Sequence, residues 1–237
     1  MDRQEKNVAV VLAAGKGSRM NSSVHKQYLL IQDKPVLYYS LKAFEECPFM
    51  DEVILVTGRG EEEYCKSQIV DFYGFHKVRR IVPGGAQRYA SVHEGLQAID
   101  NCTYVYIHDG ARPFISQEIL QRAHQGVKEH DACVVGMPVK DTIKISDESG
   151  FAESTPRRDL VWMVQTPQVF VYSLIKNAYS KIMEEKSPEV TDDAMVLEKV
   201  TGHKVRLIPG SYDNIKITTP EDLSIAETFC KKTTKEC

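Results

Sequence analysis

Val8-Ala9-Val10-Val11-Leu12-Ala13-Ala14-Gly15-Lys16-Gly17-Ser18-Arg19-Met20 is the stretch from which the fold is read. An apolar run passes straight into a turn of small residues that carries Lys16 and Arg19, and Lys26 follows soon after. Such an unbroken run suits a strand buried on both faces, as in a parallel sheet between helices. Gly15 and Gly17 allow a tight turn and let a ligand come close to the main chain. Free N–H groups in that turn, flanked by cations, offer a place for a polyphosphate. The same pattern also serves as a plain turn in α/β proteins that bind no nucleotide. Two better-known loops are excluded. Gly17-Ser18-Arg19 breaks the Gly-Lys-Ser/Thr of a Walker A loop, and Met20 stands where the dinucleotide fingerprint needs its third Gly. The second predicted strand, Val53 to Thr57, ends in Thr57-Gly58 and not in the acidic ribose reader, which argues against a hydride-transferring Rossmann enzyme.

The bulk of the chain narrows the classes. With 237 residues, 42% apolar and 27% charged, it has the makeup of an ordinary globular α/β protein. A net charge of −3 gives no broad basic face for nucleic acid, so local cations must do any phosphate binding. No apolar run is long enough to span a bilayer, and the charged N-terminus does not look like a signal peptide. The six cysteines have no Cys-x-x-Cys pair and no zinc spacing, and read as reduced thiols of a cytoplasmic protein.

Strand-like and helix-like runs alternate, the signature of a mostly parallel sheet covered by helices. The first strand spans about Asn7 to Leu12, and a long loop runs to Lys34. A helix opens at Pro35 with Val36, Leu37, Leu41 and Phe44 on one face, and strands follow at Glu52 to Thr57 and Val78 to Val82. Gly60 to Tyr73 reads as a polar helix. Pro83-Gly84-Gly85 is a second glycine turn opening a helix, Tyr104 to His108 is a strand, and Ser116 caps the next helix. After the strand Ala132 to Met137 the order breaks. Val139 to Ile145 alternates like a half-exposed strand, and Asp147-Glu148-Ser149-Gly150 is turn chemistry. Residues 139–160 therefore read as a projecting hairpin arm on a single domain spanning 1–237. Strands are expected again at Val161 to Val164, Val205 to Ile208 and Asn214 to Ile217, and a helix closes the chain from Pro220.

Ligands of open α/β sheets bind beyond the carboxyl ends of the strands. Ala14, Gly15 and Gly17, then Gly84, Gly85 and Arg88, then Asp109 and Arg112 all fall at such ends, and Lys216 lies in a late strand. Each has a plain alternative: a tight turn, a loop cap, a solvated charge. His108, in a buried strand, reads as structural, and Asp192-Asp193 as acids capping a helix. No nucleophile–base set can be assembled. Many cations, two glycine turns and few acids fit phosphoryl-type transfer, which runs on positioning and charge neutralisation. A phosphate attacking group is already anionic at neutral pH and needs no general base. One Asp, with Asp109 the candidate, could hold Mg²⁺ between phosphate oxygens.

In order along the chain stand Ala13-Ala14-Gly15-Lys16-Gly17-Ser18-Arg19-Met20, Lys26-Gln27-Tyr28, Gly84-Gly85 with Arg88 and Ser91-Val92, and His108-Asp109 with Ala111-Arg112-Pro113. Asp141-Thr142, Trp162 with Gln165-Thr166-Pro167-Gln168, Thr191-Asp192-Asp193-Ala194, and Asn214-Ile215-Lys216-Ile217-Thr218 follow. With this collinear set the sequence resembles the sugar- and polyol-phosphate cytidylyltransferases over nearly its whole length, most closely the branch acting on 2-C-methyl-D-erythritol 4-phosphate. The resemblance implies a Rossmann-like nucleotide-diphospho-sugar transferase fold, and a reaction in which CTP and a polyol phosphate give a CDP-polyol and pyrophosphate with Mg²⁺. It implies that Arg19, Lys26, Lys216 and Asp109 are catalytic. CTP would be bound by Ala13, Ala14, Gly15, Gly17, Lys26, Gly84, Gly85, Arg88, Ser91, Asp109, Gly110 and Lys216, with Asp109 on the metal. Arg112, Thr142, Arg158, Thr166 and Asp213 would bind the polyol phosphate, Arg158 reaching in from the arm of a second subunit, so the resemblance also implies a homodimer. Two departures stand out: His25 where the family commonly has Pro, expected to loosen the loop, and Gly110 where it commonly has Ala. Ser18 to His25 is expected to be mobile, closing when CTP arrives. The sister ribitol 5-phosphate enzyme shares most of these motifs, but Ala13-Ala14-Gly15, the second acid Asp193 and Trp162 favour the methylerythritol branch. A nucleotide-sensing domain without turnover would have lost a charged member of the set, and all are present.

Overall fold

The computed structural model describes residues 5–15 and 25–233, the side chains of 231–233 excepted. Strand β1 (Asn7–Ala13) lies in the middle of a seven-stranded sheet. Val8 and Val10 pack on one face with Val92, Leu96, Tyr179 and Ile182, while Ala9, Val11 and Ala13 pack on the other with Leu37, Phe44 and Leu120. That two-sided cover is why the strand is apolar at consecutive positions, and each such Val or Leu side chain contributes roughly 1.5–3 kcal/mol by leaving water.

A short hairpin, β2 (Leu30–Ile31) with β3 (Lys34–Pro35), leads into helix α1 (Val36–Glu45). Strand β4 (Glu52–Thr57) and helix α2 (Glu62–Cys65), which runs on as a π-helical segment Lys66–Asp71, are followed by β5 (Val78–Pro83). Helix α3 (Arg88–Gln97), strand β6 (Tyr104–Asp109), helix α4 (Gln117–His130) and strand β7 (Ala132–Pro138) complete the first part. As the sequence indicates, Ser116 caps α4, its side chain accepting from the Ile119 N–H. Beyond the arm come β10 (Trp162–Val171), α5 (Tyr172–Ile182), α6 (Asp193–Thr201), β11 (Arg206–Pro209) and α7 (Pro220–Thr233). The strand order is β11-β7-β10-β6-β1-β4-β5, parallel except for β10, which is antiparallel to both β6 and β7. The chain crosses from β1 outward to β5 and returns to β6 on β1's other side. This reversal opens a crevice at the carboxyl ends of the strands.

Three sequence expectations change. The strand expected at Val161 to Val164 is the first part of the ten-residue β10, whose register shifts between Val164 and Gln168. Pro167 lies in that irregularity, where a residue without an N–H is tolerated inside a sheet. Asn214 to Ile217 forms no strand. It is tied by side chains, Asn214 Nδ2 donating to Gln165 Oε1 and the Thr166 carbonyl, and by the Ile217 N–H donating to the Ala111 carbonyl. In the arm only β8 (Ile145–Ser146) and β9 (Ala152–Ser154) pair, and almost every side chain from 140 to 160 is exposed. No helix among the described residues is long and apolar enough to cross a membrane.

Candidate active site

The crevice holds a cleft of about 470 Å³ lined by Ala13, Ala14 and Gly15 after β1, Lys26 and Gln27, Gly85 to Arg88 with Ser91, and Asp109, Ala111 and Lys216. The sequence reading brought most of these together. The second glycine turn fits by close approach. The Gly84 N–H donates to the Thr57 carbonyl, and a Cβ at Gly84 would stand 2.5 Å from Ala14 Cβ and 2.8 Å from Ser91 Oγ. A Cβ at Gly85 would meet Ala90 Cβ at 2.5 Å, and the Gly85 N–H donates to Ser91 Oγ at 3.1 Å. Side chains at either position would push the turn off α3 and off the loop that follows β1.

Asp109 is the centre of charge. Its Oδ1 accepts from Arg88 Nε at 3.2 Å and its Oδ2 from Lys216 Nζ at 2.6 Å. Its own N–H donates to Thr166 Oγ1. Burial pushes the Asp109 carboxyl up, but Arg88 and Lys216, with Arg112 behind them, hold it well below the usual carboxylate range. It is therefore ionised at neutral pH. His108, beneath it, is fully enclosed; burial lowers its pKa to about 4, so the imidazole is neutral. Nδ1 meets Thr166 Oγ1 at 3.0 Å and Nε2 the Arg112 carbonyl at 3.2 Å, the structural role its position in a buried strand suggests.

Several predicted site residues do not themselves line this cleft. Gly110 is buried and faces the core, where an added Cβ would meet Leu37 Cδ1 and the Leu12 carbonyl oxygen at 2.9 Å. The Gly110 N–H donates to that same carbonyl, so the missing methyl is explained by packing. Gly84 is buried under Ala14, behind the cleft wall. Thr166 is also buried, with its hydroxyl engaged by Asp109 and His108. Arg112 donates to the Asn214 carbonyl at 2.7 Å, and burial lowers its pKa. Thr142, Arg158 and Asp213 are exposed; Arg158 donates to the Lys140 carbonyl within the arm. Gly17 and Arg19, with the proposed mobile segment up to residue 24, lie outside the described residues. His25 is described: its Nδ1 stands 2.5 Å from Glu61 Oε1, and Glu61 also accepts from the Tyr28 hydroxyl.

Two residues matter more than the sequence suggested. Gln27 is buried in the cleft wall and donates to the Ala13 carbonyl, pinning the far end of the loop to β1. Asp193, read as half of a capping pair, is not the cap: Asp192 is, accepting from the Met195 N–H at 2.8 Å. Asp193 has no exposed surface and takes both terminal nitrogens of Arg88, at 2.9 and 2.8 Å. The signal was in the sequence. One helix start needs one capping acid, and Asp193 shares the inward side of α6 with Ala194, Val196 and Leu197.

Comparisons with known proteins identify the family. Residues 7–232 match the family model described as "IspD: 2-C-methyl-D-erythritol 4-phosphate cytidylyltransferase". The chain is 50% identical over 226 residues to the protein of that name from Lachnospira eligens, covering 95% of this chain and 99% of that one. It is 48% identical over 228 residues to its namesake from Lachnoclostridium phytofermentans, covering 96% and 97%. Among solved structures, the 4-diphosphocytidyl-2C-methyl-D-erythritol synthase of Anaerococcus prevotii superposes with a TM-score of 0.85 at 34% identity, covering 96% of each chain. The Thermus thermophilus cytidylyltransferase superposes at 0.76 with 29% identity, covering 94% and 98%. With a family model matched from β1 to the closing helix and half of its residues shared with a full-length relative, the chain belongs to the 2-C-methyl-D-erythritol 4-phosphate cytidylyltransferase family.

Proposed function

We propose that the chain transfers the cytidylyl group of CTP to 2-C-methyl-D-erythritol 4-phosphate, giving the CDP-polyol and pyrophosphate, in isoprenoid precursor synthesis. A phosphate oxygen of the polyol attacks the α-phosphorus of CTP; the new P–O bond forms as the α–β bridge breaks, and the electron pair leaves on pyrophosphate. The observation that supports this most is the Arg88–Asp109–Lys216 cluster on the floor of a cleft walled by two glycine turns. Fixed cations aimed at a transferring phosphoryl group stabilise the charge that builds up there, and no side-chain nucleophile is needed.

On this reading Lys216 contacts the α-phosphate, and Lys26 and Arg19 take the charge of the departing phosphates. Ala13, Ala14, Gly15 and Gly17 offer backbone N–H groups. Gly84, Gly85 and Ser91 hold the cytosine. Mg²⁺ fits the donor set in one way only. Among the described residues no cluster of three His, Cys, Asp or Glu could cage a metal, so Asp109 would hold the ion with a single carboxylate alongside the bound phosphates. When bound, the ion would neutralise phosphate charge. The polyol phosphate is assigned to Arg112, Thr142, Thr166, Asp213 and Arg158. The last comes from a second copy of the chain, which docks through the 139–160 arm and its exposed Phe151 and Leu160. We place the enzyme in the cytoplasm, where its nucleotide substrate is available.

Pyrophosphate release with CTP and Mg²⁺ tests the reading directly. Release is expected with methylerythritol phosphate and not with ribitol 5-phosphate; release with ribitol phosphate alone would hand the chain to the sister activity.

A further inference from the structure

We infer that Asp193 is a positioning residue for the transfer reaction: from the first turn of α6 it orients Arg88, and through Arg88 it fixes the rotation of the Asp109 carboxylate in the cleft. The inference rests on the proposed role of Asp109 and Lys216 toward CTP and its metal.

The geometry forms a chain of fixed parts. The N–H groups of Asp193 and Ala194 donate to Gln168 Oε1, at 3.0 and 2.9 Å, which anchors the start of α6 to β10. The Tyr179 hydroxyl, buried in α5, donates to Asp193 Oδ1 at 2.5 Å. Asp193 then holds both terminal nitrogens of Arg88, and a guanidinium is planar, so a two-point grip sets the direction of its remaining Nε–H. That N–H points at Asp109 Oδ1, and the other carboxylate oxygen is left for Lys216 and the open cleft. Asp193 also offsets the charge of Arg88. Without it, the guanidinium would turn toward phosphate in the cleft and release one side of Asp109. Nothing in helix formation asks for this carboxylate, because Asp192 and Gln168 already satisfy the first N–H groups of α6.

Asp193→Asn removes the charge and keeps the shape. A residue acting through another on the reacting centre typically changes rate or metal affinity by about 10–100-fold, and we expect a loss of that order in kcat with KM for the polyol phosphate unchanged. Titration calorimetry of CTP with and without Mg²⁺ is the second readout, and the metal's strengthening of CTP binding should shrink by a similar factor. Combining Asp193→Asn with Arg88→Met should be no worse than Arg88→Met alone, since the one acts through the other. A folded Asp193→Asn chain with kcat and metal effect within about twofold of wild type would overturn the inference, because second-layer residues that position a centre do not behave so. Should that variant fail to fold, Tyr179→Phe, which deletes one oxygen and leaves the ion pair, decides in its place. A reduced metal effect on CTP binding supports the inference there, and an unchanged one ends it. A wild-type chain that binds CTP with the metal effect yet transfers nothing to the polyol phosphate removes the proposed function and leaves this calorimetric test readable.

Discussion

Arg88–Asp193 and Arg157–Asp159 are both Arg–Asp pairs, and the fold treats them oppositely. In the first, Asp193 has no exposed surface and its arginine is pinned on both edges, by Asp193 and by Asp109. In the second, the side chains of Arg157 and Asp159 are 75% and 62% exposed on the arm, and the residues are neighbours in the chain. Enclosing a charge costs free energy that its partner must offset, so the cleft pair persists only with its geometry complete. The arm pair costs almost nothing to make or to lose. The charged cluster of the cleft is thus held by contacts within one chain, whereas the arm leaves Phe151 and Leu160 bare, at 74% and 69% exposure.

The largest break in this comparison should come from Lys216→Ala. Lys216 is partly exposed, and Asp109 keeps Arg88 after its loss, so the melting temperature should hold. The rate should not: removing one preorganised donor from a developing charge costs about 10²–10³ in kcat. Steady-state pyrophosphate release measures it, and near wild-type turnover would take Lys216 out of the reaction.

Next in size is the acid sensitivity of the enclosed region. His108 has a pKa of about 4 in the fold, lowered by burial from an ordinary value of 6.5. Between these values the unfolded chain binds a proton that the folded chain refuses, so stability is full above pH 6.5 and lost as pH falls toward 4. The gap converts to roughly 3 kcal/mol, with no further loss from this group below its folded pKa. Asp109, lowered by its cations despite burial, adds its own loss only below the ordinary carboxylate range. Urea midpoints measured from pH 7.5 to 4.5 should fall, and His108→Gln should flatten the slope in part, since burial also lowers the pKa of His124. A wild-type midpoint indifferent to pH in that window would contradict a neutral, enclosed His108.

Arg158→Ala probes the arm as a contributor to another copy's site. Losing one exposed charged contact to a phosphate should raise KM for the polyol phosphate about tenfold, roughly 1.4 kcal/mol, with KM for CTP unchanged. An equal change in both constants would place Arg158 outside the polyol site.

The same division governs what the sequence disclosed. Val8 to Ala13, Gly84-Gly85 and Asp109 were legible because each obeys a local rule: two-sided cover, close approach, a strand end. The roles of Asp193 and Gln27 were not, because nothing within a few residues of either tells where its side chain goes. Asp193 reaches Arg88 across a separation of 105 residues, and Gln27 reaches the Ala13 carbonyl. Asn214 to Ile217 has the alternation of a strand, yet Asn214 ties it to β10, a contact that no periodicity encodes. Pro167, between the polar Thr166 and Gln168, hid the length of β10, since a proline argues against a continuous strand unless a register shift takes it up. In the arm, alternation from Val139 to Ile145 promised more pairing than exists, because an exposed segment has no covering face to enforce it.

The smallest effect is the sharpest control. Asp159→Ala deletes the acid of the arm pair and should leave the melting temperature of the chain where it was. Both partners are in water, where the attraction is screened and two long side chains lose freedom to meet. The pair spans only two positions of sequence, so it closes no loop and ties the arm to nothing else in the fold. Asp193→Asn neutralises an acid with no exposed surface and leaves Arg88 with Asp109 alone; disturbing an enclosed ion pair costs more, up to about 3–5 kcal/mol. Thermal melts of the two variants side by side therefore contrast an exposed pair with an enclosed one. If Asp159→Ala destabilised the chain as Asp193→Asn does, the arm would be packed and not projecting, and the bare surface proposed to receive a second copy would already be covered.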